Sequence, residues 1–525
     1  MARGKKTQAR RTAAAEVEAE PTEAQSKPKP TRADAGIPGA LPPLGAAALV
    51  FVAAGAVLML EILAVRLLAP YVGLTLETTT SIIGAALAGI AVGAAVGGYL
   101  ADRTNTRLLI VGLLVAGGLL TLLTVPVVRW LGPGARGDGD LAALGITVLA
   151  LVPAAAVLSA VSPAVAHLQL HDLKVSGTIV GRLSAWATAG ALIGTFGTGF
   201  LVIPLMPAST AVLTIGLVLV GIGIVLGTRA RLLSSAALFA VAILAFGLGG
   251  LSAASDSPCL TETNYHCLEL EHDPTTTNSA YSLILDGTYN SYVALEDPTY
   301  LAFAYTRWIA KAIDNTFAPK EPLDVVFVGG GGFTLPHWLA ATRPGSKSIT
   351  LEVDGDLVKL DEEKLGLKPS PDLQVRVGDA RITMLEIPDE SADVVVGDAF
   401  SGFTVPWHLT TAEWIDEVKR VLRPDGIYTL NMIDEGPMDL IGAEAATLLD
   451  AIKYVRLVTF SDRADQPVGG NIVMVASDKP LPKKLGPEGK GAFTYDQSVV
   501  EEMAAGDDIL RDDFAPVDQL RTDEE

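Results

Sequence analysis

Residues 325–333 read Val-Val-Phe-Val-Gly-Gly-Gly-Gly-Phe, and the fold class of the C-terminal half can be inferred from this run. The β-branched and aromatic run predicts a buried strand, and the four glycines predict a tight turn into a helix. Glycines let the backbone approach a ligand closely, and the next helix offers unpaired N–H groups at its N-terminus. About 20 residues on, Ser-Ile-Thr-Leu-Glu-Val-Asp at 348–354 predicts a second strand. Glu352 is then placed to hold the ribose hydroxyls of a nucleotide.

Strand and helix patterns alternate from Leu323 onward. Alternation of this kind predicts an α/β, Rossmann-like domain, a doubly wound parallel sheet that binds ligands at the carboxyl ends of its strands. Acids stand at three of these ends: Glu352, Asp379 and Asp398. Three such acids indicate a cofactor crevice. The predicted strands are 325–328, 349–353, 373–377, 394–397 and 426–432, and the predicted helices are 335–342, 355–364 and 411–422.

The composition separates an apolar half of the chain from an acidic half. Half of the 525 residues are hydrophobic and the mean hydropathy is +0.39, with the long apolar runs confined to about 44–251. The formal net charge of −20 argues against a nucleic-acid partner, since phosphates attract basic surfaces. An acidic surface suits either plain solvation or a cationic substrate such as a polyamine.

Five segments are expected along the chain. They are a disordered tail (1–43), a multispanning α-helical membrane domain (44–252), a β-hairpin region with a linker helix (253–320), the Rossmann-like domain (321–480) and an acidic tail (481–525). The membrane domain has about seven apolar segments long enough to cross a bilayer. They lie near 44–69, 78–101, 107–129, 141–168, 177–204, 208–227 and 231–252.

Glu61 is a carboxylate inside the first apolar segment. Intramembrane acids are costly and are candidates for function. Arg66 follows five residues later, off the same helical face, so the sequence does not assure a direct ion pair. Glu61 either takes part in moving a solute or makes a packing contact within the bundle, and both residues are candidates in the membrane domain.

The motifs of the acidic half resemble those of spermidine synthases, the polyamine aminopropyltransferase family with the class I methyltransferase fold. The matching stretches are Val328–Gly332, Leu351–Asp354, Gly378–Ala380, Gly397–Phe400, the turn Leu422–Gly426 and the hairpin end Leu285–Gly287. The apolar half resembles bacterial proteins in which a multispanning domain precedes such a synthase. The matching stretches there are Leu60–Leu63, Arg66–Gly73 and Gly98–Arg103, the last also similar to a loop of major-facilitator transporters.

The resemblance implies roles for individual residues. Gly329, Gly330 and Gly331 would line the aminopropyl or methionine end of decarboxylated S-adenosylmethionine or S-adenosylmethionine, with no metal required. Glu352 would bind the ribose hydroxyls and Asp379 would contact the adenine. The expected catalytic residues are Asp398, as the base, and His408, as a second base or else a plain helix-entry residue. The expected acceptor-binding residues are Asp286, Asn290, Tyr305 and Ser401.

Three departures from the family pattern bear on the acceptor. Gly332 stands where the family has an Asp, and the run Asp398-Ala399-Phe400-Ser401 lacks the second carboxylate of the family's Asp-Ser-Ser-Asp-type motif. Arg307 brings a cation to a segment where the family has an acid. Fewer anionic groups would hold a diamine such as putrescine less well.

Three functions therefore stay open. The first is membrane-anchored transfer of an aminopropyl group to an amine such as putrescine. The second is methyl transfer from S-adenosylmethionine to a lipid or envelope molecule. The third is a transporter or sensor with a non-catalytic ligand-binding domain. The expected partners are a small-molecule or lipid acceptor and the lipid bilayer, with a homo-oligomer possible and no nucleic acid.

Basic residues in the connections predict the orientation in a bacterial cell membrane. They follow the second, fourth and sixth segments, which places the N-terminus in the cytoplasm and, with seven spans, the C-terminal domain outside. Cys259 and Cys267 either form a disulfide, which suits an oxidising compartment, or are two unrelated thiols. An adenosyl donor is made in the cytoplasm, which suits the opposite side. The sequence leaves the side of this domain open.

Overall fold

The computed structural model describes a helical domain followed by a mixed α/β domain. It describes residues 41–525 except 73–75, 136–139, 171–175, 276–278, 401, 403, 461–466, 468, 487–491 and 522–525. The predicted disordered tail, 1–43, lies outside the described residues as far as residue 40.

The helical domain contains long apolar helices joined by short connections. Its helices are α1 (Pro43–Val72), α2 (Leu76–Ala101), α3 (Thr106–Leu131), α4 (Asp140–Ala150), α5 (Val152–Ser159), α6 (Val161–Gln169), α7 (Ser176–Gly197), α8 (Ile203–Leu205), α9 (Ala208–Arg229) and α10 (Ser235–Ala254). A 3₁₀ turn (Gly132–Ala135) follows α3, and a π-helical turn (Thr198–Val202) joins α7 to α8.

Seven segments of the described chain are long and apolar enough to cross a membrane, which is compatible with a multi-pass membrane protein. They are Pro43–Val72, Thr78–Ala101, Thr106–Ala135, Val152–Gln169, Ser176–Leu205, Ala208–Arg229 and Ser235–Ala254. The fourth differs from the predicted 141–168, which is divided among α4, α5 and α6. Pro153 and Pro163 lie in the first turns of α5 and α6. Proline is tolerated there because backbone N–H groups in the first turn have no partner within the helix.

Small residues let the helices of this domain touch through their backbones. A Cβ on Gly190 of α7 would lie 2.1 Å from the carbonyl oxygen of Phe51 in α1. A Cβ on Gly93 of α2 would lie 2.0 Å from the carbonyl oxygen of Ala156 in α5. Neither position has room for a side chain, so the small-residue pattern of the sequence places these helix pairs in close contact.

A small antiparallel sheet connects the helical domain to the larger sheet. Its strands are β1 (Thr261–Glu262), β2 (Cys267–His272), β3 (Ala280–Leu285) and β4 (Thr288–Ala294), paired in chain order. The Asp286-Gly287 turn joins β3 to β4, as the sequence predicts. Cys259 and Cys267 form a disulfide, which decides between the two readings of this pair.

The second sheet has eight strands within the described residues. They are β5 (Asp324–Val328), β6 (Lys347–Glu352), β7 (Leu373–Val377), β8 (Ala392–Gly397), β9 (Leu422–Asp434), β10 (Tyr454–Phe460), β11 (Gly470–Ser477) and β12 (Ala492–Tyr495). The order is β12-β10-β11-β9-β8-β5-β6-β7. Strands β5 to β9 pair in parallel, as predicted, and β10, β11 and β12 add antiparallel pairs.

Helices cover both faces of this sheet. They are α11 (Ala304–Thr316), α12 (Thr334–Thr342), α13 (Gly355–Leu360) with a π-helical turn (Asp361–Leu365), α14 (Ala380–Thr383), α15 (Ala412–Val421), α16 (Asp439–Ala451), α17 (Gln497–Met503) and α18 (Val517–Leu520). Val325 and Phe327 pack with Trp308 of α11 on one face. Val326 and Val328 pack with the α15 and α16 side on the other face. Because alternate strand residues face opposite layers, the whole run 325–328 is apolar.

The C-terminal segment is folded where the sequence predicts an acidic tail from 481. Strand β12 pairs with β10, and Val500, Leu510 and Val517 are buried in the core of the α16 face. The apolar residues of this segment are few and widely spaced among acids, so no periodic pattern marks them. The fold of the domain therefore extends to about residue 521.

Candidate active site

Backbone hydrogen bonds align the strand ends that carry the three predicted acids. The amide of Gly329 donates to Leu351 O, that of Gly378 to Glu352 O and that of Asp398 to Val328 O, each at 2.9 Å. Glu352, Asp379 and Asp398 therefore stand along one edge of the parallel sheet, at the carboxyl ends where such sheets bind ligands.

The glycine loop follows β5 and is packed tightly against the end of β8. Gly329 has φ +95°, and a Cβ there would lie 2.5 Å from the carbonyl oxygen of Asp398. Only glycine combines this backbone conformation with this approach. The loop leads through Phe333 into α12, so the crevice forms between the loop and the ends of β6 and β8.

Glu352 holds the loop from beneath. Its Oε2 accepts from the amide of Gly330 at 2.7 Å, and its Oε1 accepts from the amide of Asp354 at 2.9 Å. Burial raises the pKa of Glu352, and the two amide donors oppose that shift. A carboxylate has about four acceptor positions, so two remain for the hydroxyls of a ribose. The residues present thus fit an adenosyl donor.

Strand β4 lies against the other side of the glycine loop. Ser291 Oγ accepts from the amide of Gly332 at 3.0 Å and donates to Asn290 Oδ1 at 2.8 Å. A Cβ on Gly332 would lie 2.6 Å from Val293 Cγ2. The aspartate that the family has at this position therefore does not fit beneath β4, which explains the first departure from the family pattern.

Asp398 is surrounded by two hydrogen-bond donors. Asn431 Nδ2 donates to Asp398 Oδ1 at 2.8 Å, and the Tyr305 hydroxyl also donates to this carboxylate. Burial raises the pKa of Asp398 to about 7, although both hydrogen bonds act to lower it. Burial and the charge of Asp398 raise the pKa of Tyr305 well above its usual value, so its hydroxyl stays protonated. A carboxylate that titrates near neutrality can exchange protons with a substrate.

A cavity of about 20 Å³ lies between Asp398 and the glycine loop. Its lining combines the backbone of Gly329 and Gly330 with aromatic side chains and hydroxyls, including Phe303, Tyr305 and Thr306. That volume accommodates one water-sized group, such as an amino group. Asp398 therefore faces a space in which a single small polar group of a substrate can sit.

The pH dependence of turnover should report Asp398. Because its pKa is raised to about 7, the ionised base is scarce below that pH, so kcat should rise with pH through about 7 and level off above it. Asn431→Ala removes a donor that favours the charged form, so the rise should move to higher pH by about one unit or more. Initial rates between pH 5.5 and 9 for both proteins test this. Coincident profiles would exclude Asp398 as the titrating group.

Asp379 and His408 lie together at a different point of the edge. Asp379 Oδ1 accepts from the amide of Arg381 at 2.8 Å, and His408 Nε2 lies 3.4 Å from Asp379 Oδ2. Both side chains are partly exposed. The structure thus brings His408 to the residue expected at the adenine and gives it no contact with Asp398.

The four predicted acceptor residues have four different placements. Tyr305 contacts Asp398 and lines the cavity, whereas Asn290 lies beside the glycine loop. Asp286 points elsewhere, because its carboxylate contacts His266 Nδ1 at 2.7 Å and accepts from the amide of Cys267 at 2.9 Å. The prediction for Ser401 falls outside the described residues.

The sequence predictions omitted two residues of this region. Asn431 bonds to Asp398, and its only signal is an amide side chain in the apolar run of β9. Asp361 is fully buried, and neither of its carboxylate oxygens has a hydrogen-bond partner among the described residues. Burial, with the charges of Glu352 and Asp354, raises the pKa of Asp361 to about 9, so it is protonated at neutral pH.

The Glu61 and Arg66 candidates do not form an ion pair in the structure. Arg66 donates instead to the carbonyl oxygens of Thr263 and Asn264. Glu61 Oε2 is buried without a hydrogen-bond partner among the residues described.

Known proteins define the class of this sheet and site. The sequence profile of the methyltransferase domain family matches residues 326–430, which run from β5 into β9. The C-terminal part of the chain thus has a Rossmann-like methyltransferase fold and is similar to spermidine synthases, which confirms the resemblance based on its motifs.

Two aminopropyltransferases and a solved probable spermidine synthase are similar to part of this chain. A polyamine aminopropyltransferase of Vibrio vulnificus is 30% identical over 131 residues, 25% of this chain and 43% of that protein. One of Chromobacterium violaceum is 24% identical over 144 residues, 27% and 54% of the two chains. The chain thus spans about half the length of these curated relatives. A solved probable spermidine synthase from Corynebacterium glutamicum is 27% identical with a TM-score of 0.44, covering 49% of this chain and 96% of that one.

Proposed function

We propose that the protein is a membrane-anchored transferase that moves an aminopropyl group from decarboxylated S-adenosylmethionine to an amine such as putrescine. The observation that carries this proposal is the pairing of Asp398, with its pKa near 7, and an amine-sized cavity beside the glycine loop. The similarity of part of this chain to the polyamine aminopropyltransferases of Vibrio vulnificus and Chromobacterium violaceum supports it.

The chemistry is one displacement. The nitrogen of the acceptor amine attacks the aminopropyl carbon next to the sulfonium, the carbon–sulfur bond breaks, and the sulfur leaves as a neutral thioether. The new bond leaves an extra proton on the nitrogen, and ionised Asp398 accepts it. Tyr305 and Asn431 orient the carboxylate, and the fixed alignment of the reacting atoms supplies much of the rate.

A second candidate is a methyltransferase that acts on a lipid or envelope molecule. Two observations favour it: the matching profile is that of a methyltransferase domain, and the run Asp398-Ala399-Phe400-Ser401 lacks the family's second acid. The same Asp398 would then accept a proton from the methylated group. The two candidates differ in the donor that the crevice prefers.

Calorimetric titration of the detergent-solubilised protein with S-adenosylmethionine, and separately with its decarboxylated form, distinguishes the candidates. Tighter binding of the decarboxylated form is the expected result and supports aminopropyl transfer. Tighter binding of S-adenosylmethionine would favour the methyltransferase. Binding of neither would contradict both and would favour a transporter or sensor, in which Glu61→Gln should change solute movement.

We also propose that the α/β domain lies outside the cytoplasm of a bacterial cell, so that the adenosyl donor, which is made in the cytoplasm, must cross the membrane to reach it. The seven apolar segments, the basic connections and the Cys259–Cys267 disulfide support this position. An impermeant thiol reagent applied to intact cells should label the two cysteines only after reduction. Labelling only after lysis would contradict this location, whereas labelling without reduction would contradict the disulfide.

A further inference from the structure

The C-terminal end of α1 holds a turn of the small sheet. Arg66 donates to the carbonyl oxygen of Asn264 at 2.6 Å and to that of Thr263. Pro70, one turn further along α1, packs against the next hairpin, where a Cβ on Gly287 would lie 2.5 Å from its carbonyl oxygen. The guanidinium of Arg66 therefore hydrogen-bonds the turn between β1 and β2, and the backbone of α1 at Pro70 contacts the neighbouring turn at Gly287.

Thr263 passes this contact into the α/β domain. Its side chain is only 4% exposed, and its hydroxyl donates to Asp354 Oδ2 at 2.5 Å. The hydroxyl oxygen of Thr263 also accepts from the amides of Tyr265 and His266, at 3.0 and 2.9 Å. The proton of the hydroxyl has two acceptors within reach, Asp354 Oδ2 and, at 3.2 Å, the carbonyl oxygen of His266, and the contact with Asp354 is the shorter one.

Asp354 connects the turn to the donor crevice. It is 1% exposed, and its Oδ1 accepts from the amides of Asp356 and Leu357 at the start of α13. Its own amide donates to Glu352, whose other oxygen holds the amide of Gly330. A continuous set of hydrogen bonds thus runs from Arg66 through Thr263, Asp354 and Glu352 to the glycine loop.

We infer that Arg66 is a positioning residue for the donor crevice: by fixing the Thr263 turn, the helical domain keeps Asp354 and Glu352 oriented toward the glycine loop. The helical domain is then a structural part of the donor site as well as an anchor. The part of this inference that concerns donor affinity rests on the proposed function, whereas the part that concerns the loop does not.

The test compares Arg66→Ala with Arg129→Ala in the full chain. Arg129 is a matched control, since it lies at the end of α3 and donates to Ser252 O and Ser255 O, away from the Thr263 turn. Loss of one charged hydrogen bond in the set should weaken binding of decarboxylated S-adenosylmethionine about tenfold in Arg66→Ala. Arg129→Ala should stay within about twofold of the unmodified protein, because it leaves the set intact.

Hydrogen exchange gives a readout that needs no donor. In Arg66→Ala, peptides covering 329–333 and 352–357 should exchange faster, because the amides of Gly330 and Asp354 lose a fixed acceptor. Peptides from β9 and β11 should not change, which separates repositioning from general loss of stability. Unchanged exchange at both peptides would overturn the inference. Absence of donor binding by the unmodified protein would count against the proposed function alone.

Thr263→Val supplies a milder variant if Arg66→Ala does not fold. It keeps the shape of the side chain and removes the hydroxyl that Asp354 accepts. Faster exchange at the same two peptides, reversed in Thr263→Ser, is the expected result. Equal exchange in Thr263→Val and the unmodified protein would show that the turn does not position Asp354.

Discussion

Asp398→Asn should lower the rate of aminopropyl transfer by about 10²- to 10⁴-fold, the range that a general base contributes. The amide keeps the size of the side chain but cannot accept the proton of the attacking amine. Donor affinity should change little, because Glu352 and the glycine loop make the contacts proposed for the donor. Transfer to putrescine, measured with saturating decarboxylated S-adenosylmethionine, gives the rate.

Asp393→Asn is the matched control for this substitution. Asp393 lies near the start of β8, whereas Asp398 directly follows its end, and Asp393 pairs with Arg423 and accepts from the amide of Asp324. This variant should retain the transfer rate even if it is less stable. If Asp398→Asn retained turnover, the assignment of the base would be wrong.

Glu352→Gln should weaken donor binding by about a hundredfold. Both oxygens of Glu352 accept backbone N–H groups, and an amide would turn an NH₂ toward one of them. An unpaired buried donor costs about 1–3 kcal/mol, and the charged acceptor for the ribose is lost in addition. Titration with either adenosyl donor measures the change.

Glu362→Gln provides the comparison for that experiment. Glu362 is an exposed glutamate on the turn after α13. The Glu362→Gln variant should therefore bind the donor with unchanged affinity. Similar weakening in both variants would mean that net charge, and not the position of Glu352, controls binding.

The parallel part of the fold follows from the sequence because the central strands β5 and β8 are short, mostly apolar on both faces and followed by glycines or acids. The predicted 325–328 lies within one residue of β5, and 394–397 lies inside β8. The strands β10, β11 and β12 were not predicted. They form the antiparallel edge, where pairing between distant segments and not local periodicity decides the structure.

The candidate site shows the same division. Glu352, Asp379 and Asp398 can be placed from the sequence, because the end of each parallel strand fixes where its acid stands. Their partners cannot be placed in this way, since Asn431 reaches Asp398 across 33 positions and Thr263 reaches Asp354 across 91. Such contacts depend on how separate elements pack.

The cavity of about 20 Å³ beside Asp398 also has a meaning for the choice of acceptor. A space that holds one small polar group selects the acceptor by the size of its terminal group and not by its overall length. An unbranched primary amine fits this space as it stands, whereas a branched amine end would require the lining side chains to move. Acceptor molecules that differ in the rest of their structure but share an unbranched terminal amino group would then compete for the same site.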